Sequence, residues 1–81
     1  MISCSDYDYI EIACMHRYPV RLTMKEGDII KGTALDTARD QAKQECVVVG
    51  VEGCKQFVVL DSLSKLEVLI ENPHFNEKCF D

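Results

Sequence analysis

The spacing of apolar residues changes at Pro19. Before it, Tyr9, Ile10, Ala13 and Cys14 fall three and four apart. At about 100° per residue they gather on one side of a helix, with Asp8, Glu11 and Met15 on the other. The pattern predicts a helix over about 6–17. Ser5 is placed to cap it, and Asp8 takes the third helical position, usually Glu or Gln in a capping box. Asp6 and Asp8 also suit the positive end of the helix dipole. The helix is expected to end near His16 to Tyr18, because a residue before proline avoids helical geometry.

After Pro19 the period falls to two. VRLTM (20–24) alternates Val20, Leu22 and Met24 against Arg21 and Thr23. KEGD (25–28) reads as a turn with Gly27 free to take positive φ. IIKGTALD (29–36) returns as a second strand, and Gly32 in its middle suggests a bulge or sharp bend. TARDQAK (37–43) is polar and poor in β-formers, so it is expected to be a loop, with room for a helical turn. QECVVVGV (44–51) and CKQFVVL (54–60) are strands around a tight Glu52–Gly53 turn. Asp61, Ser62 and Ser64 mark a further turn, from which Leu63 plugs the core, and KLEVLI (65–70) is the fifth strand. Residues 72–81 form a polar tail, where Pro73 disfavours a central strand.

One helix followed by five short strands predicts a mostly β single domain over 1–81. A small chain removes exposed strand edges by curling one sheet into a strongly bent barrel, here over about 20–70, with the helix across an open end. At 81 residues the core is thin, with little room for an enclosed active site. The apolar fraction of 47% is that of a folding chain. The formal charge of -5, from 14 acids and 9 bases, disfavours general nucleic-acid binding and favours basic partners. No cationic, apolar, small-residue signal is read at the start, so export is not expected, and no apolar run approaches the roughly 18 residues that span a membrane. With five cysteines, an odd number, reduced thiols in the cytoplasm are the expectation.

Little points to catalysis or cofactors. Cys4, Cys14 and His16 lack the close paired spacing of a structural zinc site. A hairpin would allow Cys46 and Cys54 to face each other, but they read more simply as small buried hydrophobes. Cys14 and His16, two apart on a helix, point in different directions, so they make no nucleophile–base pair. Asp36, Asp40 and Asp61 lie in or beside loops, suited either to acid–base work or to turn formation. The glycines are scattered and build no phosphate cradle. No enzyme activity, metal or cofactor is expected.

The acidic side of the helix is different. Asp8 and Glu11 share a face, and the positions four further on, Ile12 and Met15, supply no base to neutralise them. Such a face is either plainly solvated or a docking surface for a Lys- or Arg-rich partner. Tyr7 and Tyr18 would flank that surface as contacts, or seal the helix onto the barrel. Arg17 and Arg21 form a close basic pair, too little for a nucleic-acid patch.

The run ISCSDYDYIEIAC, followed by His16 and VRLTMKEGDIIKGTALD, resembles the Rho-binding antiterminator family known as Rof or YaeO. The family's Cys-x-Asp-Tyr-Asp segment matches Cys4, Asp6, Tyr7 and Asp8. Its Glu-x-Ala-Cys segment matches Glu11, Ala13 and Cys14. Leu22 and Gly27 fall in its Leu-x-Leu-x-x-Gly strand-turn pattern, with Met24 at the second leucine. The resemblance covers roughly 2–70; TARDQAK departs from the family's loop, and the tail after Asn72 has no counterpart. It implies an Sm-like fold, a helix on a bent five-stranded barrel. It also implies an inhibitor of the terminator Rho, a hexameric RNA-dependent ATPase, which binds Rho's N-terminal RNA-binding domain and blocks RNA access. Asp8 and Glu11 are then the expected charged contacts, with Asp6 and Tyr7 nearby and Asp6 shared with the helix start. An Sm-like RNA-binding module is the alternative, opposed by the acidic balance.

Overall fold

A computed structural model describes residues 4–80, with side chains from Ser5 onward. Helix α1 spans Cys4–Met15. Six strands follow: β1 (Pro19–Met24), β2 (Ile29–Arg39), β3 (Glu45–Val51), β4 (Cys54–Val59), β5 (Leu63–Val68) and β6 (Glu77–Cys79). A 3-10 turn at Leu60–Ser62 joins β4 to β5. The order across the sheet is β4-β3-β2-β1-β5-β6, all pairs antiparallel.

Helix α1 starts earlier than expected and already includes Ser5, so the predicted Ser5 cap does not hold; the capping position lies outside the described residues. Its far end closes on a backbone motif. The Tyr18 amide donates to the Ala13 carbonyl at 3.0 Å and the Arg17 amide to Cys14 at 3.1 Å. Arg17 takes the left-handed conformation at φ 51° that this motif requires. Pro19 then begins β1, a place where proline costs no ladder bond.

In β1 the buried positions are Val20, Leu22 and Met24, as the alternation requires. Gly27 has φ 105° in the β1–β2 turn. β2 runs on through Thr37–Arg39, which pair with Val47, Cys46 and Glu45, so the expected loop shrinks to residues 40–44. Cross-strand pairing outweighs the weak strand propensity of that stretch. Asp40 organises what remains: its Oδ1 accepts the amides of Ala42 and Gln44, both at 2.9 Å. Gly32 is not the bulge. The register slips between Ala34 and Asp36, leaving Leu35 unpaired. Gly32 serves close approach instead, because a Cβ there would run into the Gly50 carbonyl oxygen.

The tail is part of the fold. Asn72 folds it back: its Oδ1 accepts the amides of His74 and Phe75, and its Nδ2 donates to the carbonyls of Ile70 and Phe75. β6 then pairs along β5 through Lys65↔Cys79, Leu66↔Lys78 and Glu67↔Glu77. The sheet is therefore six-stranded and bent but not closed, with β4 and β6 at its edges. Leu69 and Ile70, expected to continue β5, lie beyond it and are exposed.

One core holds the sheet and helix together. Ile10 and Ala13 from α1 pack with Val20, Leu22, Val49, Leu60, Leu63 and Leu66. Leu63, 0% exposed, fills the position expected of it. At the β1–β5 seam Arg21 lies opposite Glu67. Its Nε donates to Oε1 at 3.0 Å and its Nη2 to Oε2 at 2.7 Å, a two-pronged pair.

Candidate functional site

The helix presents the two sides that its spacing requires. Ile10, Ala13 and Cys14 are buried, whereas Asp8, Glu11 and Met15 are exposed, Met15 to 74%. Among the described residues neither Asp8 nor Glu11 has an ion-pair or hydrogen-bond partner within the chain. Three apart on one helix, they carry like charge on a common face. Packing of α1 against β2 turns that face to solvent.

The other two predicted contact residues are placed differently. Asp6 lies in the first turn, and its Oδ1 is 3.2 Å from Lys78 Nζ on β6. Lys78 also sits 5.1 Å from the centre of the Tyr9 ring. The helix thus does receive one base, from the far end of the chain. Tyr7 is half-buried and packs against the core, so it seals the helix to the sheet. The four residues divide into an outward pair, Asp8 and Glu11, and an anchored pair, Asp6 and Tyr7.

The tail also builds the ground beside the helix. Phe75 meets Tyr9 edge to face with centroids 5.0 Å apart. His16, just past the helix, stacks on Tyr18 at 5.3 Å and on His74 at 4.8 Å. Lys78, His74 and Phe75 had no signal in the sequence beyond being aromatic or charged in a polar tail. Their role depends on the turn at Asn72.

Two of the remaining acids make local backbone contacts. Asp36 Oδ1 accepts the Thr37 amide at 2.8 Å, and Asp40 holds its loop. Arg21 is committed to Glu67, which pulls the Glu67 carboxyl below its ordinary value by direct hydrogen bonding. The basic pair Arg17 and Arg21 is accordingly no free phosphate site. Cys46 and Cys54 do not face each other: Cys46 pairs with Val59 and Cys54 with Val51, at opposite ends of the hairpin. Cys14 and Cys46 are buried, but Cys54 and Cys79 are exposed, and all four are free thiols. Burial, with the charges of Asp36 and Glu11, raises the Cys14 thiol to about 11. Among the described residues no three His, Cys, Asp or Glu side chains come together to hold a metal. No described helix is long and apolar enough to cross a membrane.

Comparison with known proteins agrees with this architecture. The family described as "Modulator of Rho-dependent transcription termination (ROF)" matches residues 1–80, so the likeness extends through the tail. The Rof protein of Escherichia coli K12 is 32% identical over 63 residues, covering 78% of this chain and 74% of its own length. That of Shigella flexneri matches to the same extent. Among solved structures, YaeO bound to magnesium from Vibrio cholerae O395 is 45% identical with a TM-score of 0.88. That match covers 93% of this chain and 97% of the other.

Proposed function

Because this chain belongs to the family of modulators of Rho-dependent transcription termination, we propose that it inhibits termination by binding the N-terminal RNA-binding domain of Rho and obstructing RNA. The outward face of α1 carries the interaction. A surface that receives RNA is basic, with apolar contact points between its charges. Asp8 and Glu11 take the place of phosphates on it, and the exposed Met15 supplies apolar contact. The observation that carries this reading is the pair of exposed carboxylates with no partner among the described residues, on a helix whose other side is packed. A protein that only needed a solvated face would gain from a base four positions along. Asp6 and Tyr7 support the surface by fixing the helix to the tail and to the core. Inhibition is by occupancy and needs no chemistry from this chain.

The test is displacement of labelled cytidine-rich RNA from the N-terminal domain of Rho by the purified protein. The unaltered protein is expected to displace it. The double change Asp8→Lys, Glu11→Lys should weaken displacement by more than about tenfold, because like charges then meet across the interface. Its circular dichroism should be unchanged, since both positions are exposed. Full displacement by the charge-reversed protein would refute this interface.

A further inference from the structure

We propose that the cleft between α1 and the β2 bulge is a socket for one basic side chain, an arginine, presented by the protein that docks on α1. The proposal rests on the docking reading above and adds Asp36, on a different element, to the contact surface.

The cleft has a volume of about 240 Å³, below the usual range for small-molecule sites and suited to one inserted side chain. Glu11 and Asp36 provide its charge; Met15 and Leu35 provide apolar walls; Cys14 and Thr37 complete it. Among the described residues no basic side chain lines it. The bulge makes this arrangement. Ala34 pairs with Val49 and Asp36 with Val48, so Leu35 is an extra residue that re-aims the side chains after it. Leu35 is seated over Gly50, where an added Cβ would come within 3.3 Å of its Cδ1. The Thr37 amide holds Asp36 Oδ1 at 2.8 Å, and the other carboxylate oxygen has no partner among the described residues.

Cys14, 9% exposed and packed into the hydrophobic core, lies at the inner side of the cleft. It lies in the negative potential of both carboxylates, which hold it protonated on top of the effect of burial. A guanidinium entering the cleft would meet two carboxylates from two elements, with its alkyl stem along Met15 and Leu35. Arginine fits better than lysine because its planar fork reaches two carboxylates at once and gives up hydration more readily.

The experiment measures affinity of the full-length protein for the intact Rho hexamer, for the unaltered protein and for Asp36→Asn, Glu11→Gln and the double variant. Asp36→Asn is expected to weaken binding by on the order of tenfold with unchanged thermal unfolding. The two changes together should cost less than the product of their separate effects, because both carboxylates hold one cation. Rho should also slow alkylation of Cys14, followed by mass spectrometry of its peptide. Unchanged affinity in Asp36→Asn, with affinity lost in Asp8→Lys, Glu11→Lys, would overturn the socket and leave the helix face standing. Equal protection of Cys14 by magnesium chloride alone would make the cleft an ion site and overturn the arginine. No binding by the unaltered protein removes the docking reading and the socket together.

Discussion

At Gly32 the requirement is for space. Its φ is unexceptional, but a Cβ would meet the Gly50 carbonyl oxygen and approach Val49 Cγ1 to 2.6 Å. The neighbour is backbone in a paired strand, so it cannot swing aside. Gly32→Ala is expected to cost about 2 kcal/mol or more by urea denaturation, within the usual range for an overpacked core. Cys14 offers a second test at this scale. Its folded thiol titrates near 11, above the ordinary value of 9.0. Well below pH 9 the thiol is neutral in both folded and unfolded chains, and its contribution to stability is complete. As pH rises from 9 towards 11 the unfolded chain ionises first, and stability falls by up to about 2 kcal/mol, trimmed by solvent screening at the cleft. In Cys14→Ala that part of the pH dependence should vanish. The apolar side of the helix made Cys14 a core residue in the sequence; the carboxylate of Asp36 near it came only with the fold.

The ends of the elements separate local from distant causes. Proline at position 19 was enough to place the end of α1 within a residue or two. The device that stops it is the left-handed Arg17, a conformation glycine adopts without steric cost. Arg17→Gly should therefore raise stability by about 0.5–1 kcal/mol in thermal or chemical unfolding. The tail has the opposite character. Nothing in the alternation of 72–80 marks a strand, yet β6 covers the outer edge of β5, and the tail carries Phe75 and Phe80 onto the core. A chain ending at Glu71 would lose the Tyr9–Phe75 contact and the ion pair of Lys78 with Asp6. It is expected to lose about 2–4 kcal/mol by urea titration. The bared β5 edge should also promote self-association, visible by light scattering.

Over the whole molecule, charge and shape act together. The net charge of -5 gives a long-range attraction to a basic surface, and the packed side of α1 leaves the acidic side facing outward. Affinity for Rho should fall roughly three- to tenfold between about 50 and 300 mM salt, as the screening length shortens past the separation of exposed charges. Asp8→Lys, Glu11→Lys should flatten whatever salt dependence remains. Fluorescence anisotropy and calorimetry together check both. A salt-independent affinity would assign the contact to apolar surface instead.

The sequence by itself determined the helix with its acidic and buried sides, the alternation that makes β1, the hairpin turns at Gly27 and Gly53, and Leu63 in the core. These arise from periodicity and turn chemistry, which act over a few residues. It also carried the family, through a short motif at the start of the chain. Only the tertiary structure decided that Thr37–Arg39 pair as strand, that the bulge falls at Leu35 and not at Gly32, and that Cys46 and Cys54 lie far apart along their hairpin. It alone showed that the tail is a sixth strand that brings Lys78 to Asp6, and that the sheet stays open. Each of those outcomes depends on register between strands or on contacts across many tens of residues. Local pattern holds no record of such pairings, because their free energy is gained only when the distant partner arrives.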